Sequence, residues 1–328
     1  MQVRPIEINW HPGLSIFASE NFLKAVSDEY GWLGGFDDSG ILRCFLPYTI
    51  IKKFLFKLVR FRVETIPACN DFTIEQEKLF LNLVVKYLKS IRADVIIPAT
   101  TNTIFRTYPD GAIAAPYGTY KIDLTQPEEK IMEAMSTSHR RKIRLALKSG
   151  VQIKRGLEYG EVAYQLIRDT FKRSRLGFMS HESFKKYLGG LGENVEIFIC
   201  ELEGKIQSSI VIPFSKHTAY YVYGGSIPDP ATGATNLLHW EAIRHFKSLG
   251  VGLYDFVGVR ISPKRGSKQE GLSQYKERFG GKLHVGYIWK YNLSRLKHLG
   301  YSLTIKVLRG GDIVDNQKHK LIKTRITE

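Results

Sequence analysis

The stretch Arg140-Arg141-Lys142-Ile143-Arg144-Leu145-Ala146-Leu147-Lys148-Ser149-Gly150-Val151 decides the fold of this 328-residue chain. Arg140, Arg144 and Lys148 recur every four residues, so they share one face of a predicted helix. A row of guanidinium groups suits bidentate contacts to phosphates, which makes Arg140, Arg141 and Arg144 candidate substrate-binding residues. A solvated surface face is the alternative interpretation, because charge runs on helices usually face water.

The same stretch indicates where this helix begins and ends. Ser138 is the expected N-cap and Gly150 the expected C-cap, which predicts a helix over residues 138–149. Ile143 and Leu147 fall on a different stripe from the basic face, and we expect both to face the core.

Hydrophobic patterns on either side predict alternating strands and helices. In the second half, strands are predicted over residues 151–155, 196–201, 205–214, 218–223 and 253–259, and helices over residues 127–135, 160–175 and 235–249. In the first half, helices are predicted over residues 20–30 and 73–91, and strands over residues 32–36, 41–48 and 94–98. The turn Asp37-Asp38-Ser39-Gly40 predicts a hairpin between the first two of these strands. Residues 116–124 are expected to cross between the halves.

The predicted strand over residues 218–223 is rich in tyrosine. Alternation places Tyr221 and Tyr223 on one face and Tyr220 on the other. Gly224 and Gly225 follow, and they allow a bulge or the close approach of a ligand to the backbone. Tyr223 and Gly225 are therefore candidate substrate-binding residues, with packing as the alternative.

Two loops carry further candidates. Gly233 precedes a predicted helix and Thr235 begins it. The N-terminal N–H groups of this helix suit a phosphate, although a plain N-cap explains these residues equally well. After the last predicted strand, a polar loop begins at Arg260, and a short helical segment follows with Lys276. Spacing alone makes Lys276 a surface lysine.

These motifs, in this order, resemble the Fem aminoacyltransferase (FemABX) family. The resemblance rests on an R-R-x-I-R-x-A pattern from Arg140, on the segments Tyr223–Ser226 and Tyr254–Val259, and on an F-K-x-x-F-G-like pattern from Tyr275 to Gly280. It implies an α+β fold of two tandem GNAT-like domains with mixed sheets and no coiled-coil arm. The implied domains are residues 1–118, completed by residues 288–305, then residues 119–287, and a basic tail over residues 306–328.

The resemblance also implies roles for residues. Lys276 would lie in the transfer site, where its ammonium could stabilise the oxyanion that forms when an amine attacks an aminoacyl ester. Asp255 could orient the adjacent loop or serve as a base. The implied substrate-binding residues are Arg140, Arg141, Arg144, Tyr223, Gly225, Tyr254, Tyr275 and Phe279. The implied donor-binding residues are Gly233, Thr235 and Arg260, although only Gly233 fits the coenzyme A loop pattern of acetyltransferases.

Composition limits the partners. The formal net charge of +16 favours nucleic acid, anionic lipid or a phosphorylated substrate, unless it only aids solubility. Residues 50–63 mix apolar side chains with lysines and arginines, which suits either contact with anionic lipid or a strand pair with a wet basic face. The three cysteines are far apart and indicate neither disulfides nor a metal site. No signal peptide or transmembrane run is visible, so we expect a cytoplasmic protein, with peripheral membrane contact as an option.

By resemblance, we expect an enzyme that moves an aminoacyl group from aminoacyl-tRNA onto an amine of a peptidoglycan or other cell-wall precursor, phosphorylated or lipid-linked. The alternative is a GNAT-type N-acyltransferase that uses acyl-CoA or an acyl carrier protein on an amino sugar or lipid in envelope or exopolysaccharide synthesis. A third hypothesis is a non-catalytic RNA- or membrane-binding protein. We expect no bound cofactor and a monomer.

Overall fold

The computed structural model describes residues 1–294 and 313–315. The strands of the first half are β1 (Gln2–Ile6), β2 (Glu29–Phe36), β3 (Leu42–Lys53), β4 (Phe56–Phe61), β5 (Ile66–Pro67), β6 (Val95–Ile96) and β7 (Ile113–Asp123). Its helices are α1 (Glu20–Ala25) and α2 (Ile74–Ser90).

The second half begins with two helices and ends on a long strand. Its helices are α3 (Glu128–Ala134), α4 (Thr137–Lys148), α5 (Gly160–Arg173), α6 (His181–Leu191), α7 (Ala234–Ser248) and α8 (Lys268–Glu277). Its strands are β8 (Gln152–Arg155), β9 (Val195–Leu202), β10 (Lys205–Pro213), β11 (Thr218–Tyr220), β12 (Tyr223–Ser226), β13 (Leu253–Asp255), β14 (Val259–Arg260) and β15 (Lys282–Asn292).

One large mixed sheet is shared by both halves. Its strand order is β1-β2-β3-β4-β6-β15-β7-β13-β11, with β5 paired to β3 and β14 paired to β7. The second half adds a sheet of four strands in the order β12-β10-β9-β8. This α+β architecture agrees with the fold class predicted from sequence.

Strand β15 returns the chain to the first half. It pairs along β7, and its end pairs with β6 through Tyr291 opposite Ile96. The predicted domain boundary at residue 118 falls inside β7, which both halves share, so the division into domains stays a prediction. Most of the predicted basic tail over residues 306–328 lies outside the described residues.

Several sequence predictions are confirmed with small shifts. The turn between β2 and β3 is closed by the Asp37 carboxylate, which accepts hydrogen bonds from the N–H groups of Ser39 and Ile41, both at 3.0 Å. Helix α2 begins with a capping box of Thr73 and Gln76, as the predicted start at residue 73 requires. Elements α6 and β15 were not anticipated.

Two predictions about local structure are wrong in detail. The helix predicted over residues 20–30 ends at Ala25, because Glu29 pairs with Ile50 in the sheet. Helix α4 is capped by Ser136, whose side chain accepts a hydrogen bond from the His139 N–H.

The stripes of α4 also differ from expectation. Ile143 is buried as predicted, but Leu147 is exposed. A helix that packs on α7 along one narrow face buries fewer apolar positions than its pattern suggests.

The tyrosine-rich strand is divided between the two sheets. β11 pairs in parallel with β13 in the large sheet, whereas β12 pairs with β10 in the small sheet. The change occurs at two adjacent residues, because the Tyr221 N–H donates to Asp255 while the Val222 N–H donates to Val211. The prediction of one continuous strand over residues 218–223, with Tyr221 and Tyr223 on one face, is therefore wrong. Beyond this point β12 continues in the small sheet, whereas β13 ends at Asp255.

The strand predicted over residues 253–259 is also interrupted. β13 ends at Asp255, and β14 begins only at Val259. Val257 and Gly258 between them have φ values of 41° and 26°, which a continuous strand cannot accommodate.

A hydrophobic cluster joins the halves. Phe17, Phe22 and Trp32 from the first half pack with Tyr187 and Tyr220 from the second. Within the described parts of the chain, no helix is long and apolar enough to cross a membrane. No group of three or more His, Cys, Asp or Glu side chains in residues 1–294 or 313–315 is arranged to hold a metal ion.

Candidate active site

Asp255 lies at the end of β13, where the two sheets separate. It is only 1% exposed. Its Oδ1 atom accepts hydrogen bonds from the Thr119 hydroxyl at 2.5 Å and from the Val257 N–H at 2.7 Å. The Lys121 ammonium lies 3.7 Å from Oδ2. Burial raises the pKa of Asp255, and the charge of Lys121 opposes that shift.

The segment after Asp255 turns its carbonyl groups toward α8. Val257 has a φ of 41°, a left-handed conformation that costs a β-branched residue roughly 1–3 kcal/mol. The Lys276 ammonium donates to the carbonyl oxygens of Val257 and Gly258, the latter at 3.0 Å. An ammonium has three N–H groups, so one remains for a ligand.

Lys276 is buried as well as hydrogen-bonded. Its exposed fraction is 9%, and burial lowers its pKa to about 8, while the charge of Asp255 acts in the opposite direction. Lys276 and Asp255 thus hold the same turn from two sides. Spacing alone had favoured an exposed lysine, and the fold overturns that alternative.

The same turn reaches the first half of the chain. The Gly258 N–H donates to the Thr101 carbonyl at 3.0 Å. Thr101 in turn lines a cavity of about 630 Å³ that lies between the two halves. We call it the interdomain cavity. Lys276 is therefore connected to the wall of this cavity through its hydrogen bond to Gly258.

Both halves contribute to the interdomain cavity. From the first half, its lining consists of Phe17, Phe22, Ala25, Val26, Arg60, Arg62, Ala99, Thr100, Thr101 and Asn102. From the second half, it consists of Phe171, Met179, Ser183, Lys186, Tyr187, Val222 and Tyr223. The lining thus combines mostly apolar side chains with three cationic residues, Arg60, Arg62 and Lys186.

Arg62 is the most unusual residue of this lining. Its guanidinium donates to the Thr49 hydroxyl at 3.3 Å and to the Val26 carbonyl at 3.2 Å. No acidic side chain among residues 1–294 forms an ion pair with it. Burial lowers its pKa to about 9, and the neighbouring charge of Arg60 adds to that shift. A buried guanidinium without a carboxylate favours binding of an anionic group.

Tyr223 lines the interdomain cavity, as its candidate role requires. Its ring centroid lies 5.7 Å from that of Tyr187, across an edge-to-face contact. Burial raises the pKa of both phenols, so both stay protonated and can donate hydrogen bonds.

Other predicted substrate-binding residues lie in the core. A side chain at Gly225 would overlap the backbone of Leu166 and Ile167, so this glycine lets α5 pack against β12. The Tyr254 hydroxyl is fully buried and bonds to His239 at 2.9 Å. Neither residue reaches the interdomain cavity.

Tyr275 and Phe279 belong to a buried aromatic group. Their ring centroids lie 5.2 Å and 4.6 Å from that of His139. Burial lowers the pKa of His139 to about 4 and that of His239 to about 3, so both imidazoles are neutral. The group packs α4, α7 and α8 together and thereby holds Lys276 in place.

The predicted donor-binding residues are dispersed. Gly233 has a φ of 84°, and a methyl group on it would overlap the Lys142 carbonyl oxygen of α4. The Thr235 hydroxyl donates to Ser208 at 3.4 Å. Arg260 lies on β14 opposite Tyr117.

The predicted arginines of α4 also do not line the interdomain cavity. Arg140 donates to the carbonyls of Glu133 and Met135, at 2.7 Å and 2.9 Å, and so caps the end of α3. Arg141 and Arg144 are exposed on the outer surface. Tyr223 thus lines the interdomain cavity and Lys276 is connected to its wall by hydrogen bonds, whereas the exposed Arg144 is not part of the lining.

Sequence reasoning missed the cations of the interdomain cavity. The sequence indicates Arg60 and Arg62 only as part of the basic stretch over residues 50–63. A signal is present in the sequence, because the two arginines are two residues apart in an apolar stretch and would share one face if that stretch were extended. Lys186 and Tyr187 lie on α6, a helix that was not predicted.

Comparisons with known proteins agree with this architecture. Residues 134–277 match the acetyltransferase (GNAT) domain family. The structure of FemX is similar at a TM-score of 0.68 and 14% identity, covering 91% of this chain and 99% of that one. The C-terminal domain of a proposed lysylphosphatidylglycerol synthetase from Agrobacterium fabrum is also similar. Its TM-score is 0.54 at 14% identity, and the match covers 89% of this chain and 92% of that one.

A tandem GNAT protein from the clavulanic acid biosynthesis pathway gives a TM-score of 0.51 at 9% identity, and covers 89% of this chain and 98% of that one. No curated protein matches the sequence significantly. The fold is therefore the FemABX-like double GNAT fold. Its second half carries a GNAT acyltransferase domain, which makes the chain an acyltransferase by class.

Proposed function

We propose that this protein is an aminoacyltransferase that moves an aminoacyl group from aminoacyl-tRNA onto an amine of an anionic cell-envelope precursor. The observation that carries the proposal is the buried Arg62 in a cavity whose wall is hydrogen-bonded, through Gly258, to Lys276. FemX and the proposed lysylphosphatidylglycerol synthetase share the fold, which supports this kind of chemistry.

The interdomain cavity would bind the acceptor. Arg62 has lost most of its hydration and has no carboxylate partner in the described chain, so a phosphate or carboxylate of the acceptor would stabilise it. Arg60 and Lys186 line the same hollow and add positive charge. The aromatic rings of Tyr187 and Tyr223 would cover the apolar part of the acceptor.

The transfer step needs little from side chains, because an aminoacyl ester is already activated. The acceptor amine attacks the ester carbonyl, a C–N bond forms, and the C–O bond to the ribose breaks. The proton lost by the amine balances the proton taken up by the leaving hydroxyl. Lys276 would stabilise the oxyanion with its remaining N–H, and orientation in the cavity would supply much of the rate.

Asp255 acts in this scheme as a positioning residue. Its carboxylate already accepts hydrogen bonds from Thr119 and Val257 and is 1% exposed. It therefore holds the turn that carries the Lys276 contacts. The geometry supports this role over that of a base.

The donor loop supports a donor other than acyl-CoA. In acetyltransferases of this fold, the loop before the helix corresponding to α7 holds the pyrophosphate of coenzyme A. Here α4 packs so closely on Gly233 that the Lys142 carbonyl oxygen occupies the space beside it. A carbonyl oxygen repels a phosphate, so this position is unsuited to a pyrophosphate. The exposed Arg141 and Arg144 of the same helix suit the backbone of tRNA.

The test is a labelled transfer assay with the full chain. Charged tRNA bearing a labelled amino acid is incubated with the protein and an envelope extract, with and without ribonuclease. We expect ribonuclease-sensitive transfer of label to an anionic acceptor. Labelled acyl-CoA in place of charged tRNA should give none.

The second candidate is a GNAT-type N-acyltransferase that uses acyl-CoA or an acyl carrier protein. The match of residues 134–277 to the acetyltransferase (GNAT) domain family favours it. Coenzyme A binding by calorimetry, together with transfer from acyl-CoA, would establish this activity and reject the tRNA donor. If no donor bound at all, a non-catalytic protein would remain.

A further inference from the structure

The tip of the hairpin between β3 and β4 exposes two large apolar side chains. Phe54 and Leu55 form its two-residue turn, since Lys53 pairs with Phe56 across it. Phe54 is 92% exposed and Leu55 is 84% exposed. Both lie at the outermost point of the hairpin.

The conformation of this turn makes the phenylalanine unfavourable for folding. Phe54 has a φ of 53°, the left-handed region that two-residue turns normally assign to Gly, Asn or Asp. An aromatic residue there carries backbone strain and gains no burial. Folding therefore does not explain the presence of Phe54, and a contact outside the chain would.

Lysines surround this apolar tip. Lys52 and Lys57 share the Glu29 carboxylate, at 2.7 Å and 3.9 Å. Lys53 forms no ion pair within the described parts of the chain. Beside the apolar pair there are thus three ammonium groups and one glutamate that pairs with two of them. The Asp28 carboxylate accepts a hydrogen bond from the backbone N–H of Lys52.

We propose that the Lys52–Lys57 hairpin tip inserts into the interfacial layer of an anionic lipid bilayer. Phe54 and Leu55 would enter the boundary between headgroups and acyl chains, and the lysines would contact lipid phosphates. Apolar side chains with flanking cations fit this occupant better than they fit nucleic acid, which offers no apolar layer.

The hairpin leads directly to the interdomain cavity. From Phe56 at the base of the tip, β4 runs four residues to Arg60 in the cavity lining, or about 13 Å. A docked tip would hold the cavity within reach of the membrane surface. If the proposed function holds, a lipid-linked acceptor could enter the cavity without leaving the bilayer.

The experiment measures co-sedimentation of the full chain with two kinds of vesicles. One is phosphatidylcholine alone, and the other contains equal parts of phosphatidylcholine and phosphatidylglycerol. We expect binding to the anionic vesicles only. The double variant Phe54→Asn/Leu55→Ser should weaken that binding by about tenfold or more, because it removes the apolar side chains. Asn suits the left-handed conformation at residue 54, so the fold is preserved.

A matched control removes two exposed leucines from other surfaces. Leu157→Ser/Leu176→Ser deletes two leucines that are 52% and 61% exposed and far from the hairpin in sequence, and it should leave vesicle binding unchanged. A polarity-sensitive label on Phe54→Cys, in a Cys69→Ser background, should shift to the blue with anionic vesicles, whereas the same label on Leu157→Cys should not.

Three results would overturn the membrane proposal. They are absence of binding to anionic vesicles, equal loss of binding in the control variant, and self-association that disappears with Phe54→Asn/Leu55→Ser. The last would assign the tip to contact between two copies of the chain. Since no donor or acceptor is used, failure here is distinguishable from failure of the proposed transferase activity.

Discussion

Two groups of arginines in this protein have opposite environments. Arg141 and Arg144 lie on the outer surface of α4 in water, whereas Arg62 is buried in the cavity between the halves. An exposed guanidinium costs the fold almost nothing, so its presence says little about function. A buried guanidinium without an acidic partner opposes folding, so a ligand gives the better account of it. The difference makes burial a better guide to a candidate binding site than the density of charge in the sequence.

The largest expected effect concerns the other buried cation, Lys276. If its ammonium stabilises the oxyanion, Lys276→Met should lower kcat by about 100- to 1,000-fold. Lys268→Met, on the exposed face of the same helix, should keep normal activity. Equal loss in both variants would remove Lys276 from the transfer site.

The same residue predicts a pH profile. Because the pKa of Lys276 is about 8 in the folded protein, the activity that depends on its charge should decline as the pH rises through 8. Lys276→Arg stays charged and should move that decline to higher pH. The effect of Lys276 on stability has the opposite sign. Between pH 8 and 10.5 this lysine takes up a proton when the protein unfolds, because its pKa is higher in the unfolded chain. The free energy of unfolding therefore increases as the pH rises across that window.

Gly233 tests how closely α4, the helix that carries the exposed arginines, packs on the donor loop. This glycine and Gly150 both have φ values near 80°, at 84° and 80°, but only Gly233 abuts another helix. Gly150→Ala should lower the free energy of unfolding by about 1 kcal/mol through backbone strain alone. Gly233→Ala should cost about 3 kcal/mol, because its methyl group must displace α4. Equal costs in urea unfolding would mean that α4 does not cover the donor loop.

Arg62 provides the direct test of the buried site. Arg62→Met should raise KM for the anionic acceptor by about 10- to 100-fold, with a smaller effect on kcat. Stability should change by less than about 1 kcal/mol or increase, because the desolvated charge disappears together with its two hydrogen bonds. Arg168→Met is the control, because Arg168 lies on the exposed face of α5, and it should leave KM unchanged. A strongly destabilised Arg62→Met protein with unchanged KM would make Arg62 a structural residue.

The smallest effect is expected for the exposed group. Arg141→Ala and Arg144→Ala should each weaken tRNA binding by about two- to fivefold at low salt, and each should make binding less dependent on salt. Lys86→Ala on α2 is the control, and it tests whether the loss of any surface cation weakens tRNA binding equally. If the arginine variants lost transfer completely, the exposed arginines would be part of the active site, and the contrast with Arg62 would disappear.

Much of the fold could be predicted from local patterns. The predicted helix over residues 73–91 and the hairpin around Asp37 depend on caps and turns within a few residues, and both are confirmed. The division of the tyrosine-rich strand could not be predicted, because Tyr221 and Val222 choose between partners that lie far away in the sequence. Among the candidate site residues, Tyr223 lines the interdomain cavity and Lys276 is connected to its wall for that same long-range reason.

The sequence by itself determined the class of the protein, since its helix-forming basic stretch, its glycine turns and the Tyr275–Gly280 pattern are all local signals of the FemABX-like double GNAT fold. Only the tertiary structure decided which cations are buried. Arg62 and Arg144 are equally charged in the sequence, and their difference in burial arises because both halves surround the segment directly after β4 that carries Arg62. Desolvation depends on every neighbour in space, and no short stretch of sequence contains that information.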